Sequence, residues 1–371
     1  MRRTRIGSVA VIVAATSVAA AGAVSAQSPS APAGGAWTVG VVTDVGTLDD
    51  RNFNQYSWEG AELGAQAIGA TASSIVTQNS ADYAKNIQTF VDQGTNVIVT
   101  VGFALGADTA AAAKANPDVF FIGVDQGVCI DENGDNDPNF ACAGDPATLL
   151  PNYQGLVFAE AQPGYLAGIV AANVSKSQHI AVIGGASFIP AVANYANGYA
   201  AGAKSVNPDI KVEIQYVSDD LTKAFNDPAG GKAFAEQLLS LNPDVDVIFQ
   251  AAGKTGNGVL QAACDAKAAN PDVWAIGVDV DQFLSTPETA ACTLTSAEKK
   301  LSNAVSQAVQ AAAAGTSVGG SSLFNASNEG IGISPFHDHE AAVSAETVAA
   351  VDAAFQAMAA GTLDPLASPA P

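Results

Sequence analysis

Two aspartates, Asp125 and Asp279, end two copies of nearly the same sequence. Residues 115–125 read ANPDVFFIGVD and residues 269–279 read ANPDVWAIGVD, so nine of eleven positions are identical. In each copy, Asn-Pro-Asp predicts a turn, and the short apolar run after it predicts a buried parallel strand. Ligands of open α/β sheets bind outside the carboxyl ends of such strands. The copies therefore predict two similar lobes that direct carboxylates at one cleft; the alternative is a chance match of common patterns.

Three further residue types suit a ligand in that cleft. Asp44 ends the first predicted strand, and Phe53 and Asn54 follow in the loop that opens the first helix, while Phe225 lies in the corresponding loop of the second half. One Phe from each lobe can stack on a face of a flat ring, and the Asn54 amide can donate to and accept from a purine edge. The alternatives are local roles: Phe53 packs on its own helix, and Asp44 and Asp125 cap helices.

Strands and helices alternate along the chain, which predicts βαβ units and parallel sheets with right-handed crossovers. In the first half, strands are predicted at 38–43, 74–77, 97–101 and 119–124, and helices at 55–68, 83–92 and 108–115. In the second half, strands are predicted at 180–183, 212–217, 247–250 and 273–278, and helices at 191–205, 231–241 and 256–269.

The last predicted elements are too few for a third domain. They are strands at 291–295 and 331–334 and helices at 298–313 and 344–359. We expect them to complete both lobes, with the chain crossing near 157–160, 296–297 and 324–330. The predicted architecture is α/β with two lobes, each a parallel sheet flanked by helices, joined by three crossovers. Lobe I would contain 37–158 plus 297–325, and lobe II would contain 159–296 plus 326–365.

The N-terminus predicts export. Arg2, Arg3 and Arg5 precede an apolar run at 9–23, and Val24-Ser25-Ala26 resembles a cleavage site, so residues 1–26 are interpreted as a signal peptide. Residues 27–36, rich in Ser, Pro, Ala and Gly, would form a flexible tether. No cysteine follows the apolar run to accept a lipid. The protein is therefore expected outside the cytoplasm: periplasmic, on the cell surface or secreted.

Export makes disulfides possible for the four cysteines. Cys129 and Cys142 flank one polar loop, and Cys264 and Cys292 lie together in the second half, so we expect these two local pairs. Zinc is the less favoured alternative, because no Cys-x-x-Cys occurs and the three histidines are not spaced as partner ligands. No metal and no cofactor are predicted.

The net negative charge of the protein argues against several classes of binding partner. The 371 residues carry a net charge of −21, before loss of the three leader arginines. So acidic a protein is a poor candidate for binding nucleic acid or anionic lipid, and its charge argues mildly against an anionic ligand.

Several segments together resemble one protein family. Residues 41–60, VVTDVGTLDDRNFNQYSWEG, are similar to the signature of the basic membrane protein, or PnrA-like, family. Further matching phrases are Ile183-Gly-Gly185, the run GYAAG at 198–202, Phe225-Asn-Asp-Pro228, Ala251-Ala-Gly253, Ile276-Gly-Val-Asp279 and Leu294-Thr-Ser296 followed by Lys299. The resemblance covers nearly the whole mature chain.

This resemblance implies a solute-binding protein of an ABC importer, with a periplasmic-binding-protein type I fold. It implies a purine nucleoside as ligand, an ABC permease as partner and a monomeric, non-enzymatic protein. Residues matching Phe53 and Phe225 would stack on the base, and those matching Asn54 and Asp125 would bond to its edge. The ribose would be held by Gly253, Asp279 and Lys299.

The chain departs from the family pattern in three places, one of which is the segment 221–224 before Phe225, which lacks an expected Gly. The lipid-anchor cysteine is missing, and the stretch 127–151 is longer than the usual connection. Within it, residues 131–137, DENGDND, have the acid spacing of a calcium loop but lack the Glu at position 12. A polar loop closed by a disulfide is the favoured interpretation.

Other functions remain as alternatives. A binder of the same fold could take a sugar or another small signal, because two-lobed proteins of this kind often do so. A nucleoside hydrolase is less favoured, since the chain has no Gly-x-Ser-x-Gly or His-Glu-x-x-His motif and its aspartates are spread over both halves.

Overall fold

The computed structural model describes residues 36–367, which contain two six-stranded sheets. The first sheet is entirely parallel, in the order β11-β5-β4-β3-β1-β2. Its strands are β1 (Thr38–Thr43), β2 (Thr71–Val76), β3 (Val97–Val101), β4 (Phe120–Val124), β5 (Tyr153–Phe158) and β11 (Gly320–Phe324).

The second sheet repeats this plan in the order β12-β10-β9-β8-β6-β7. Only its edge strand β12 is antiparallel, pairing with β10. Its strands are β6 (His179–Gly184), β7 (Lys211–Tyr216), β8 (Val247–Ala251), β9 (Trp274–Asp279), β10 (Thr293–Lys299) and β12 (Ile331–Ile333). The predicted two-lobed α/β fold is therefore confirmed.

Helices cover the sheets, and several begin at side-chain caps. Asp227 accepts a hydrogen bond from the Gly230 amide and Ser344 one from the Thr347 amide, each capping a helix N-terminus. The helices are α1 (Phe53–Ala67), α2 (Tyr83–Asp92), α3 (Gly106–Ala115), α4 (Pro146–Leu149), α5 (Ala161–Val174), α6 (Pro190–Val206), α7 (Leu221–Phe225), α8 (Pro228–Leu241), α9 (Gly253–Ala269), α10 (Gln282–Ser285), α11 (Leu301–Ala314) and α12 (Ala345–Ala359).

Glycines let α5 and α6 pack with their backbones in contact. A Cβ at Gly168 would lie 2.1 Å from the Tyr199 carbonyl oxygen, and one at Gly202 would lie 2.0 Å from that of Tyr165. The run at 198–202 therefore serves helix packing. The tight packing places Tyr195 of α6 beneath the cleft.

The chain passes between the sheets three times: after β5, after β10 and after β11. The helix predicted at 298–313 was wrong at its start, since Glu298 and Lys299 continue β10 through pairing with β9 and β12. The helix begins only at Leu301. The lobe boundaries given above, including the one at 296–297, stay a proposal.

The structure links Cys129 to Cys142 and Cys264 to Cys292. In the loop 127–151, the carboxylates of the suspected calcium sequence bind backbone amides. Asp131 accepts from the amides of Asn133 and Asp135, and Asp137 accepts from that of Cys142. Within residues 36–367, no group of three His, Cys, Asp or Glu side chains could hold a metal.

The predicted signal peptide at 1–26 and all but the last residue of the tether at 27–36 lie outside the described residues. Between residues 36 and 367, no helix is long and apolar enough to cross a membrane.

Candidate ligand-binding site

All eight predicted ligand residues line one cavity between the two sheets. The cavity encloses about 720 Å³ of unfilled space, counted out to its mouth. Its walls include residues from both lobes: Asp44, Phe53, Asn54, Asp125, Phe225, Gly253, Asp279 and Lys299.

Asp44 lies directly after β1, where its carboxyl faces the cavity. Gly102 makes room for it, because a Cβ there would lie 2.0 Å from Asp44 Oδ2, and its φ of +111° also disfavours other residues. Burial raises the pKa of Asp44 to about 7. The backbone amide of Val45 donates to Asp44 Oδ1 at 2.6 Å, and a backbone hydrogen bond from Ala104 also lowers the pKa of this carboxyl, against the larger effect of burial.

Phe53 and Asn54 open α1, and a buried carboxylate fixes this turn. Asp50 accepts hydrogen bonds from the amides of Asn52, Asn54 and Gln55 at 2.9–3.0 Å. The Asn54 Nδ2 donates to the Val45 carbonyl at 3.0 Å. Among the described residues, Asn54 Oδ1 is buried without a hydrogen-bond partner. Because a buried acceptor without a partner is costly, this oxygen is suited to a ligand donor.

Lys299 places its positive charge in the cavity and forms ion pairs with two carboxylates from different parts of the fold. Its side chain is 2% exposed, and its Nζ lies 2.5 Å from Asp125 Oδ2 and 3.2 Å from Glu160 Oε1. Asp125 belongs to the first lobe, whereas Glu160 lies in the first crossover. These carboxylates raise the pKa of Lys299 against the opposing effect of burial. The neighbouring Lys300 instead pairs with Glu298.

Asp279 occupies the position in the second lobe that Asp125 occupies in the first. Both have left-handed backbone conformations, with φ of +63° and +58°, which aspartate tolerates better than most residues. The hydroxyl of Tyr195 donates to Asp279 Oδ1 at 3.1 Å. Burial raises the pKa of Asp279 to about 7. Its carboxyl is thus close to the point where a small change of environment alters its charge.

Phe225 ends α7 and presents its ring from the second lobe. A Cβ at Gly185 would lie 2.3 Å from the ring atom Cε1, so glycine is needed to seat the ring. Gly253 opens α9 beside it with a φ of +52°. Phe53 and Phe225 therefore approach the same cavity from opposite lobes.

Contacts at the cleft mouth join the lobes. Lys254 Nζ of α9 donates to Thr47 Oγ1 at 2.8 Å and lies 3.1 Å from Asp49 Oδ1. Asn257 Nδ2 donates to the Asp50 carbonyl at 3.0 Å. The structure therefore has the closed arrangement of a two-lobed protein.

Several residues of the site were not predicted from the sequence, among them Glu160 and Tyr195. Glu160 is a single acidic residue in an apolar crossover. Its role as a partner of Lys299 is seen only in the folded protein, where the two side chains lie together. Tyr195 is one of several tyrosines on helices, and no local signal distinguishes it. An isolated charge within an apolar segment is the one sign that could have identified Glu160.

Residues 37–357 match the protein family described as ABC transporter substrate-binding protein PnrA-like. The chain belongs to this family. The resemblance inferred from residues 41–60 is thus confirmed, and the protein is a substrate-binding protein of the ABC transporter type.

Individual relatives agree with this assignment. The chain is 36% identical over 252 residues to the ABC transporter nucleoside-binding protein BmpA of Lactococcus lactis subsp. cremoris, covering 65% of this chain and 63% of that protein. It is 30% identical over 330 residues to the CD4+ T-cell-stimulating antigen of Listeria monocytogenes, covering 85% and 84%. An ABC transporter solute-binding protein from Aeropyrum pernix K1 has the same fold, with a TM-score of 0.74, 22% identity and coverage of 88% and 92%.

Proposed function

We propose that this PnrA-like protein is the extracytoplasmic component of an ABC importer and captures a purine nucleoside between its lobes. The observation that carries the proposal is the pair Phe53 and Phe225, which line one cavity from opposite lobes together with Asp279 and Lys299. The Lactococcus relative named a nucleoside-binding protein supports the same ligand class.

The base is held between the two phenylalanine rings. Stacking of a base on an aromatic side chain contributes roughly 1–3 kcal/mol. The unpaired Asn54 Oδ1 accepts from a donor on the base edge, and Asp125 approaches the base from the end of β4. Closure of the lobes brings both rings onto the ligand.

The ribose is held at the other end of the cavity. The Asp279 carboxylate accepts hydrogen bonds from the two neighbouring hydroxyls of the sugar, and charge-assisted bonds of this type are stronger than neutral ones. Lys299 partly offsets the buried negative charge. The left-handed turn at Gly253 brings backbone close to the sugar.

The charges of the site favour a nucleoside over a nucleotide. The cavity lining contains the carboxyl groups of Asp44, Asp50, Asp125 and Asp279 and the ammonium group of Lys299, which is also paired with Glu160. A phosphate would add negative charge to a site already rich in carboxylates, and Coulomb repulsion in a poorly hydrated cavity is strong.

We propose binding without chemistry. Lys299 engages both Asp125 and Glu160, so neither carboxylate is available as a general base. The ligand leaves unchanged when the lobes open at the permease. We propose that the protein acts as a monomer.

The test is a thermal-shift screen of residues 27–371 against nucleosides, free bases, nucleoside monophosphates and sugars, followed by calorimetry and chromatography. A purine nucleoside at a hundredfold excess over Kd should stabilise the protein by about 2.7 kcal/mol and be recovered intact. Stabilisation by sugars alone would overturn the ligand assignment. Cleavage of the nucleoside would overturn the assignment as a binder.

A further inference from the structure

A second groove adjoins the ligand cavity on the side of Asp44. It shares Asp44, Val45 and Leu221 with that cavity. It encloses about 1,030 Å³ of unfilled space, counted out to its opening. The groove is therefore an extension of the site rather than a separate depression.

Both lobes build this groove, so it takes shape when they close. The first lobe contributes the loop 45–47 after β1, residues 77–80 after β2 and Tyr83. The second lobe contributes residues 220–222 and Asn226 around α7. An occupant of the groove would contact both lobes, as the ligand in the main cavity does.

The side chains of the groove define the chemistry of an occupant. Most are uncharged amides and hydroxyls, and the charged residues in its lining are Asp44 and Asp220. Among the described residues, no Lys, Arg or His lines it. These carboxylates repel an anion and accept hydrogen bonds from a donor. The ammonium group of Lys254, which donates to the lining residue Thr47, is already paired with Asp49.

Some polar groups of the groove are already bound within the protein. Tyr83 donates its hydroxyl to the Asp44 carbonyl, and Asp220 Oδ1 accepts from the Thr222 amide. Within residues 36–367, the side chains of Thr222 and Asn226 make no hydrogen bond to another residue. These two side chains therefore offer donors and acceptors to an occupant.

We infer that this groove is a subsite for an uncharged, hydroxyl-bearing substituent on the base of the nucleoside. The inference rests on the proposed function, because that function places the ribose at Asp279 and Lys299 and turns the far edge of the base toward Asp44. The substituent lies at the 6-position of the purine, the edge remote from the sugar. The importer then accepts base-modified nucleosides as well as the parent compounds.

The experiment compares calorimetric affinities of matched ligands. The parents are adenosine and guanosine, and the derivatives carry a 2-hydroxyethyl group on N6 or O6, or a 2-carboxyethyl group there. The hydroxyethyl derivative should bind within about threefold of its parent, and the carboxyethyl derivative at least about tenfold more weakly, because it brings a charge to a carboxylate-lined groove.

Two variants locate the substituent. Thr222→Trp fills the groove and should weaken the hydroxyethyl derivative by at least about tenfold while leaving the parent within about twofold. Lys223→Trp places the same side chain at the adjacent exposed position, outside the groove, and should leave both affinities unchanged.

Failure of the hydroxyethyl derivatives to bind, while a parent binds, would overturn the inference and leave the proposed function intact. Equal loss of parent and derivative in Thr222→Trp, or no loss of either, would also overturn it. If adenosine, guanosine and inosine all fail to bind, the proposed function is wrong, and the subsite inference is rejected with it.

Discussion

The two copies of the repeated sequence end in the same backbone geometry but in different chemical surroundings. Asp125 directly follows β4 and Asp279 is the last residue of β9, and both have left-handed φ values. Asp125 forms an ion pair with Lys299, whereas Asp279 accepts a hydrogen bond from Tyr195. The local sequence therefore positions a carboxylate, and residues far away in the chain decide what that carboxylate does.

The largest effect is expected from Lys299→Met. This change leaves Asp125 and Glu160 buried without their cation, and breaking a buried ion pair costs about 3–5 kcal/mol. We expect urea denaturation to show a loss of this size and calorimetry to show at least about a hundredfold loss of nucleoside affinity.

Lys300→Met is the matched control. Lys300 is 39% exposed, far more than Lys299, so its pairing with Glu298 should contribute about 1 kcal/mol or less. Equal effects of the two substitutions on stability would contradict the distinction between the two lysines.

Substituting each repeated aspartate with asparagine separates the roles of the two copies. Asn tolerates the left-handed conformation, so the backbone should be kept. Asp125→Asn should lower the free energy of unfolding by roughly 1–3 kcal/mol, because Lys299 loses a charged partner. Asp279→Asn should not lower the free energy of unfolding at pH 7, because it removes a carboxylate whose ionised form is disfavoured by burial. It should weaken nucleoside binding roughly tenfold or more, through loss of a charge-assisted bond. Indistinguishable profiles from denaturation and calorimetry would mean that the surroundings of the two copies do not matter.

The protonation of Asp279 should make stability and nucleoside affinity depend on pH, which further distinguishes Asp279 from Asp125. Burial raises the pKa of Asp279 from 3.8 to about 7, so between about pH 4 and pH 7 the folded protein holds a proton that the unfolded chain has released. The free energy of unfolding of the ligand-free protein should therefore fall as pH rises from about 4 to about 7. Nucleoside affinity should change in the opposite direction, weakening below pH 7 by up to about tenfold per pH unit, because the carboxylate is the better acceptor.

In Asp279→Asn, both the free energy of unfolding and the nucleoside affinity should change less with pH than in the wild type. The comparison with this variant removes the contributions of the other titrating groups, including Asp44, whose pKa burial also raises to about 7. Identical slopes in the wild type and the variant between about pH 5 and pH 8 would show that Asp279 does not titrate in this range.

The smallest effect is expected at the cleft mouth. Lys254 also reaches across the lobes, but its side chain is 26% exposed and that of Asp49 is 84% exposed. Lys254→Ala should reduce nucleoside affinity by about fivefold at most, since exposed ion pairs contribute about 0.2–1 kcal/mol. Lys204→Ala, at an exposed position on α6, is the control and should have no effect. A loss as large as that of Lys299→Met would place the main cation at the mouth.

Local signals explain which elements the sequence predicts. Turns with Asn-Pro-Asp bound β4 and β9, and the apolar runs after them are distinctive. Helix α5 was missed because it is buried on nearly every side and shows no polar face. Strand β11 was missed because it is short and half exposed. The helix predicted from 298 began too early because Glu and Lys favour helices, whereas pairing in the sheet decides their conformation here.

The sequence predicts those site residues that stand at the ends of strands or at the starts of loops, where ligand-binding side chains are expected. Asp44, Asp125 and Asp279 lie at strand ends, and the family signature singles out Phe53 and Asn54. The partners of these residues depend on contacts over long sequence separations. Glu160 and Lys299, 3.2 Å apart in space, are connected only by the crossing of the chain between lobes.

The most direct test of the central claim, that one ring from each lobe encloses a base, is calorimetric titration of adenosine and guanosine into three proteins. These are the wild type, Phe53→Ala and Phe225→Ala, each verified as folded by circular dichroism. Each substitution should weaken binding by about 5- to 150-fold, the equivalent of 1–3 kcal/mol of stacking. Full nucleoside affinity in either variant would contradict the sandwich between the lobes.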